Sequence, residues 1–179
     1  MACDISKGRL EPCKDQVGGL DAIYIVNWGD ITGFTMDVTD TDLIASVTGT
    51  PNAYKFELKG SSSFETAITS SRENGTTMFE QTLNITLKKQ DISTHKELKL
   101  LAWGRPQIVV KDNNDNYFMM GKEHGAEVTG GSIATGAAMG DLTGYTITFS
   151  AMERVPANFI DASNDTELGT AGFTIVAGT

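Results

Sequence analysis

Residues 77–88 alternate strictly between two kinds of side chain. Phe79, Leu83, Ile85 and Leu87 share one face with Gln81, and the opposite face carries Met78, Glu80, Thr82, Asn84 and Thr86. Successive side chains of a β-strand point to opposite faces of a sheet, so this period of two predicts a strand. The chain therefore folds around a sheet with one dry face and one wet, hydroxyl-rich face.

The segment before it repeats the pattern. In residues 64–70, Phe64, Thr66 and Ile68 share one face, and Glu65, Ala67 and Thr69 share the other. The connection over residues 70–75 is polar and ends in Asn-Gly, the dipeptide that favours tight hairpin turns. We expect the two strands to form a β-hairpin.

Further strands and one helix complete the prediction. The helix covers residues 93–103, with Asp91 or Ser93 as its cap and an apolar stripe of Leu98, Leu101 and Ala102. The other strands are predicted at residues 22–28, 35–38, 43–47, 54–58, 107–111, 117–120 and 143–152. The fold class is mainly β (α+β), with one helix.

The chain divides into three predicted parts. Residues 1–20 are polar and indicate an N-terminal arm, residues 21–160 form the β-domain, and residues 161–179 form a C-terminal tail. Within these parts, residues 125–135 are small and indicate a flexible stretch, and residues 161–170 resemble a linker. The apolar residues 172–177 are expected to pair with something, because a free apolar strand promotes aggregation.

Charge and hydropathy exclude several classes of protein. The 179 residues carry a formal net charge of −9, which disfavours wrapping DNA because phosphates are neutralised by Lys and Arg. The same charge suits a surface that DNA slides past, although solubility explains it equally well. No apolar run approaches the ~20 residues needed to span a bilayer. The first residues lack the apolar core of a secretory signal, so we expect synthesis in a cytoplasm, with Cys3 and Cys13 reduced.

Motifs with catalytic or metal-binding chemistry are weak. Residues 93–96 fit S-x-x-K but lack its partner motifs, so a helix cap is predicted. Asp112, Asn114, Asn116 and Glu123 match four calcium-loop positions, yet Tyr117 stands where a calcium loop needs glycine, which favours a hairpin turn.

The remaining candidates also favour structural roles. Neither His95 nor His124 lies in a zinc-binding spacing, and both Trp28 and Trp103 are expected to anchor the core. We predict no catalytic residues, no metal, no cofactor and no enzyme activity.

The order of four segments resembles the tail tube proteins (major tail proteins) of tailed bacteriophages. These segments are the hydroxyl-rich β-region of residues 54–89, the helix ISTHKELKLLAWGRP, the hairpin IVVKDNNDNYFMMG, and TGAAMGDLTGYTITFSAMERVPANF. Together they cover roughly residues 54–159, and the arm and the tail lie outside the pattern.

The resemblance implies a β-sandwich or half-barrel flanked by one α-helix. It implies homohexameric rings that stack into a tube in the virion tail, assembled in the bacterial host. Its partners would be further copies, the tape measure, baseplate and terminator proteins, and genomic DNA that passes non-specifically through the lumen during ejection. No membrane is implied.

Two site hypotheses follow. The lumen-facing residues are expected to be Glu65, Thr69, Glu80, Thr82, Asn84 and Thr86, whose carboxylates would repel phosphates. The contact loop between rings or subunits is expected to be Ser70, Ser71, Arg72, Glu73, Asn74 and Gly75.

Other functions stay open on sequence alone. A tail terminator, a neck or baseplate ring and a capsid decoration protein all fit the pattern, and a contractile tail is not distinguished from a flexible one. A carbohydrate-binding β-sandwich is a further alternative, which would need an exposed aromatic platform.

Overall fold

The computed structural model describes residue 5 and residues 7–178, which fold into two β-sheets and two helices. One sheet has eight strands and the other has four. The predicted fold class is confirmed, because the two sheets pack as a β-sandwich with α1 on its flank. Among the described residues, neither helix is long and apolar enough to cross a bilayer.

The larger sheet runs in the order β12-β4-β1-β7-β8-β11-β3-β2. Its strands are β1 (Leu20–Val26), β2 (Ile31–Met36), β3 (Leu43–Gly49), β4 (Asn52–Glu57), β7 (Gln107–Asp112), β8 (Tyr117–Met120), β11 (Asn158–Ile160) and β12 (Thr174–Val176). The smaller sheet runs in the order β5-β6-β10-β9. Its strands are β5 (Ser63–Ser71), β6 (Thr76–Lys88), β9 (Glu127–Ala134) and β10 (Gly144–Glu153).

The helix α1 (Ile92–Leu101) begins where the sequence predicts. Asp91 caps it by accepting hydrogen bonds from the Thr94 backbone N–H at 2.8 Å and the Ser93 hydroxyl at 2.6 Å. These hydrogen bonds from Ser93 and Thr94 hold the pKa of Asp91 well below its ordinary value. The cap satisfies an N–H that the first turn of a helix would otherwise leave without a partner.

Two clusters of buried side chains lie on the two faces of the larger sheet. The cluster between the sheets includes Ile23 and Ile108 from the larger sheet and Leu83 and Phe149 from the smaller one. The second cluster, on the far face of the larger sheet, includes Tyr24 and Tyr117. From Ala22 to Val26, β1 is a continuous apolar run buried on both faces, because its side chains enter the two clusters in alternation.

The C-terminal segment is not a free tail. The predicted linker is wrong, since α2 (Asp165–Thr170) forms there with Asn164 as its cap. Leu168 of α2 and Phe173 are buried in the second cluster. After them β12 pairs in parallel with β4, so the apolar end of the chain does pair with a strand, as expected.

β2 begins four residues before the predicted strand at residues 35–38, and two further strands are absent from the predictions. The stretch of residues 125–135 contains β9, an edge strand whose side chains are mostly exposed. Its small residues hide the alternation that identifies a strand, so the sequence indicates flexibility instead. The three-residue β11 is also missed, because so short a segment shows no period.

The tryptophans are not core anchors. Trp28 is 42% exposed and Trp103 is 76% exposed. Each instead has a cation over its ring, with the Arg105 guanidinium 4.0 Å from the Trp28 centroid and Lys99 Nζ 5.2 Å from the Trp103 centroid.

The described part of the N-terminal segment has no strand or helix before β1. Its last residues are held by the turn after β7: Asn114 accepts from the Val17 backbone N–H at 2.9 Å, and Asn113 donates to the Gly18 carbonyl at 2.8 Å. Cys13 is exposed and forms no disulfide with any described residue, and Cys3 lies outside the described residues.

Candidate functional site

The predicted wet face of the hairpin exists as one surface. In the antiparallel pair of β5 and β6, Glu65 lies opposite Thr82 and Ala67 lies opposite Glu80. Residues directly opposite each other on paired strands share a face of the sheet. Along one strand, every second residue also lies on the same face. The register therefore places all six predicted residues on one face: Glu65, Thr69, Glu80, Thr82, Asn84 and Thr86.

Strand β10 extends this face in a way the sequence prediction missed. Thr146, Thr148 and Ser150 lie opposite Thr86, Asn84 and Thr82. The Thr148 hydroxyl donates to Asn84 Oδ1 at 2.8 Å. The alternation of Thr and Ser with apolar residues in β10 is the sequence signal that identifies these side chains, but only strand pairing shows which face they join.

Edge strand β9 completes the surface. Ser132 lies opposite Thr146, and their hydroxyl oxygens are 2.7 Å apart. Glu127 lies opposite Ser150 and adds a third carboxylate to the face. We call the whole set the hydroxyl face: Glu65, Ala67, Thr69, Met78, Glu80, Thr82, Asn84, Thr86, Glu127, Gly130, Ser132, Thr146, Thr148, Ser150 and Met152.

The hydroxyl face has no core beneath it among the described residues. Sheet and helix both pack on the other side, where Leu83, Ile85 and Phe149 meet the larger sheet and Leu98 and Leu101 of α1. All residues of the hydroxyl face are exposed or half-buried. Near its middle, only Gly130 and Ala67 have neither a polar nor a large side chain. A broad polar surface on one sheet of a sandwich is therefore left for water or for a partner.

The carboxylates gather toward one end of the hydroxyl face. Glu65, Thr82, Ser150 and Glu127 form one row across the four strands, so the two glutamates lie on the two edges of the sheet. Glu80 lies in the next row. No basic side chain shares these rows, so the surface is locally acidic.

Both edges of the four-stranded sheet lack a second neighbour in the described chain. Strand β5 pairs only with β6, and strand β9 pairs only with β10. An edge strand presents backbone N–H and C=O groups that can pair with another strand. The nine residues of β5 and the eight of β9 make these edges long enough for strand addition.

The predicted contact loop is shorter than expected. Ser71 pairs with Thr76 and Ser70 with Thr77, so these two serines end β5 rather than forming a loop. The connecting residues are Arg72, Glu73, Asn74 and Gly75, all exposed. Gly75 has φ +63°, the left-handed conformation that the Asn-Gly signal predicts.

The calcium-like residues form a hairpin turn. Asp112 Oδ1 accepts the backbone N–H groups of Asn114 and Asn116, each at 2.8 Å. Burial acts to raise the pKa of Asp112, but the hydrogen bonds from Asn116 and Asn114 outweigh it and lower that pKa. Glu123 is not part of this turn, since its backbone N–H donates to Glu153 Oε1 at 3.0 Å.

One cluster has metal-ligating side chains. Ligand atoms of Glu123, His124 and Glu153 lie within 4.8 Å of one another. However, the buried Glu153 already accepts the N–H of His124 at 2.9 Å with Oε1, and its Oε2 lies 3.0 Å from His124 Nδ1. Both carboxylate oxygens of Glu153 therefore already have partners, and the role of this cluster is to close the turn after β8.

Comparison with family models, with curated proteins and with solved structures found no match to this chain.

Proposed function

We propose that this chain is a self-assembling structural protein, the tail tube subunit of a bacteriophage. Its copies join their four-stranded sheets edge to edge into a closed β-barrel ring, and the rings stack into a tube that conducts DNA. This proposal rests on one observation: the smaller sheet has two free edges and an uncovered hydroxyl face.

The strand directions of the sheet are compatible with a ring. Neighbouring strands are antiparallel throughout, so β5 and β10 run one way and β6 and β9 run the other. When copies are related by rotation about an axis, β9 of one copy meets β5 of the next antiparallel. The alternation then continues around the ring, and closure removes both exposed edges.

The dimensions of such a barrel suit a conduit. The resemblance implies six copies. Because each copy supplies four strands, the barrel has 24 strands. With strands ~4.8 Å apart and tilted by roughly 36°, the backbone-to-backbone diameter is about 45 Å. Barrels of many strands leave an aqueous channel rather than a packed interior.

The chemistry of the two faces agrees with an inside and an outside. The apolar face of the sheet packs against the larger sheet, so the hydroxyl face would line the bore. Glu65, Glu80 and Glu127 would place rings of negative charge there, which repel phosphates and keep DNA from binding to the wall. A structural role of this kind needs no catalytic residues, and we propose that the protein is not an enzyme.

Electron microscopy of the purified protein over a range of concentration and salt tests the proposal. Hollow tubes or stacked rings of uniform width support it. Single rings that never stack would instead assign a terminator, neck or baseplate ring. Monomers at every concentration, with or without a preformed tail tip as initiator, would overturn it.

A second candidate is a carbohydrate-binding module, favoured by the exposed rings of Trp28 and Trp103. Flat exposed aromatic rings can stack on sugars, but here Arg105 and Lys99 lie over them. Binding to a glycan array that is lost in both Trp28→Ala and Trp103→Ala would support this function over the tube.

A further inference from the structure

A groove runs along the free edge of the smaller sheet, between β9 and α1. It has a volume of about 420 Å³ and is open to solvent. Its apolar lining comes from both elements and from β10, chiefly Leu98, Leu101, Val128, Ile133 and Ile147. It lies on the apolar side of the sheet, the side opposite the hydroxyl face.

One residue that lines the groove, Gly131, has no side chain. Gly131 lies opposite Ile147, so a side chain there would point to the apolar side. A Cβ added at Gly131 would come within 2.6 Å of the Thr146 carbonyl oxygen, so the close backbone admits only glycine. The gap between Val128 and Ile133 is therefore built into the strand.

The opposite edge of the same sheet carries a matching apolar side chain. Ile68 of β5 lies opposite Phe79 on the apolar side, yet it is 69% exposed because it extends beyond the core. Adding β5 of a second copy to β9 places the apolar side of β5 on the same side as the groove. One edge thus offers an apolar groove and the other offers an exposed apolar side chain.

The stagger of the strands in a barrel brings Ile68 of one copy to the same height as the groove of the next copy. Within one copy, Phe64, Leu83, Phe149 and Val128 form one row across the sheet. A strand tilt of roughly 36° displaces each strand by about one residue relative to its neighbour, hence about four residues over four strands. Four residues before Phe64 is Gly60, which precedes β5, whereas four residues after it is Ile68. Only the second direction lets β5 overlap β9 of the adjacent copy, and Ile68 then faces Val128.

We propose that the groove between β9 and α1 binds Ile68 of a second copy of this chain, at the level of Val128. This inference rests on the proposed function, because it specifies the lateral contact of the ring. The contact is heterologous, with the β5 edge of each copy meeting the β9 edge of the next, so it propagates until a ring closes.

Disulfide cross-linking tests the contact directly. In a background of Cys3→Ser and Cys13→Ser, the pair Ile68→Cys and Val128→Cys is oxidised under assembly conditions and separated without reductant. A ladder of covalent multimers is expected, because a disulfide needs Cα atoms about 4.4–6.8 Å apart. The matched control replaces Val128→Cys by Glu127→Cys, an adjacent residue on the hydroxyl face. Each single cysteine variant is also oxidised.

A substitution supplies an independent readout. Ile68→Ser should raise the concentration needed for assembly by about tenfold or more, since an apolar side chain loses its burial. The monomer should unfold as before, because Ile68 is mostly exposed within it. Val38→Ser is the control, an exposed residue between β2 and β3 that should leave assembly unchanged.

The outcomes separate this inference from the proposed function. A ladder from the Ile68–Val128 pair alone, with weakened assembly of Ile68→Ser, supports the contact. Rings or tubes that form normally with Ile68→Ser, or that give no ladder from this pair, overturn the contact and leave the tube function standing. Failure of the parent protein to assemble overturns both.

Discussion

Tyr24 of β1 and Asp165 of α2, 141 residues apart in the chain, are joined by a hydrogen bond of 2.5 Å from the phenol hydroxyl to Oδ1. Tyr117 donates to the same oxygen at 3.2 Å, and Lys55 Nζ lies 2.7 Å from Oδ2. A single carboxylate therefore ties the C-terminal helix to three strands of the larger sheet. Burial and this hydrogen bond raise the pKa of Tyr24 well above its ordinary value, so the phenol stays a donor.

Asp165→Ala should lower the free energy of unfolding by about 2 kcal/mol or more. The substitution leaves the hydroxyls of Tyr24 and Tyr117, both in buried residues, without their acceptor, and unpaired buried polar groups cost about 1–3 kcal/mol each. Urea unfolding at pH 7 measures the loss. Asp161→Asn, an exposed residue just before α2, is the control, and an equal loss there would contradict this explanation.

The contribution of Asp165 should disappear in acid. Burial acts to raise its pKa, but hydrogen bonds from Lys55, Tyr24 and Tyr117 outweigh it and lower that pKa in the folded chain. A lowered folded-state pKa gives stability that is present above the unfolded value of ~3.9 and is lost as pH falls below it. The stability difference between the parent and Asp165→Asn should therefore narrow between pH 5 and pH 2.5, as measured by urea unfolding at several pH values. A difference that stays constant would show that the charge of Asp165 contributes nothing.

Neighbouring glycines in β9 should respond oppositely to the same substitution. Gly131→Ala should destabilise the fold by about 1–3 kcal/mol, because the new Cβ meets the Thr146 carbonyl oxygen at 2.6 Å. Gly130→Ala has open space around the added Cβ and should be neutral or slightly stabilising, since it reduces the freedom of the unfolded chain. Thermal unfolding of the two variants checks both, and equal effects would refute the account of the groove.

Charge reversal on the hydroxyl face should slow DNA passage without preventing assembly. Glu65→Lys with Glu80→Lys replaces two phosphate-repelling groups by two that attract phosphate. The expected result is intact tails with slower genome ejection, and the effect should weaken at high salt. Glu57→Lys with Glu97→Lys makes the same change of net charge at exposed residues elsewhere and serves as the control. Ejection at the parent rate would show that the hydroxyl face does not line the bore.

Replacing Arg72–Gly75 by a two-residue Asn-Gly turn should weaken assembly. The hairpin of β5 and β6 is retained, but the exposed tip proposed to contact a neighbouring ring or subunit is removed. Sedimentation should then show monomers or isolated rings, with the circular dichroism of the parent. Tubes of normal length would exclude the loop from these contacts.

Local structure in this chain follows from sequence patterns that act without a contact to a distant segment. Alternation in β6 determines which side chains share a face, because the period of two is a property of the strand itself. Asp91 before α1 and Asn-Gly before β6 define a helix start and a turn for the same reason. These signals were sufficient to place Glu65 and Thr69 on one face of β5 and Glu80 and Thr82 on one face of β6, and the pairing register joined these two faces.

The tertiary structure decided the features that depend on contacts between distant parts of the chain. Nothing in residues 125–135 alone shows a strand. β9 exists because its backbone pairs with β10, and Gly131 fits closely against that neighbour. Likewise α2 is held by Asp165, which hydrogen-bonds to Tyr24 141 residues away, and β12 is held by its pairing with β4. The sequence alone determined the two faces of each strand of the hairpin. The pairing of distant backbones decided which edges stay free, because hydrogen bonds between strands depend on proximity in the folded chain and not on local side-chain order.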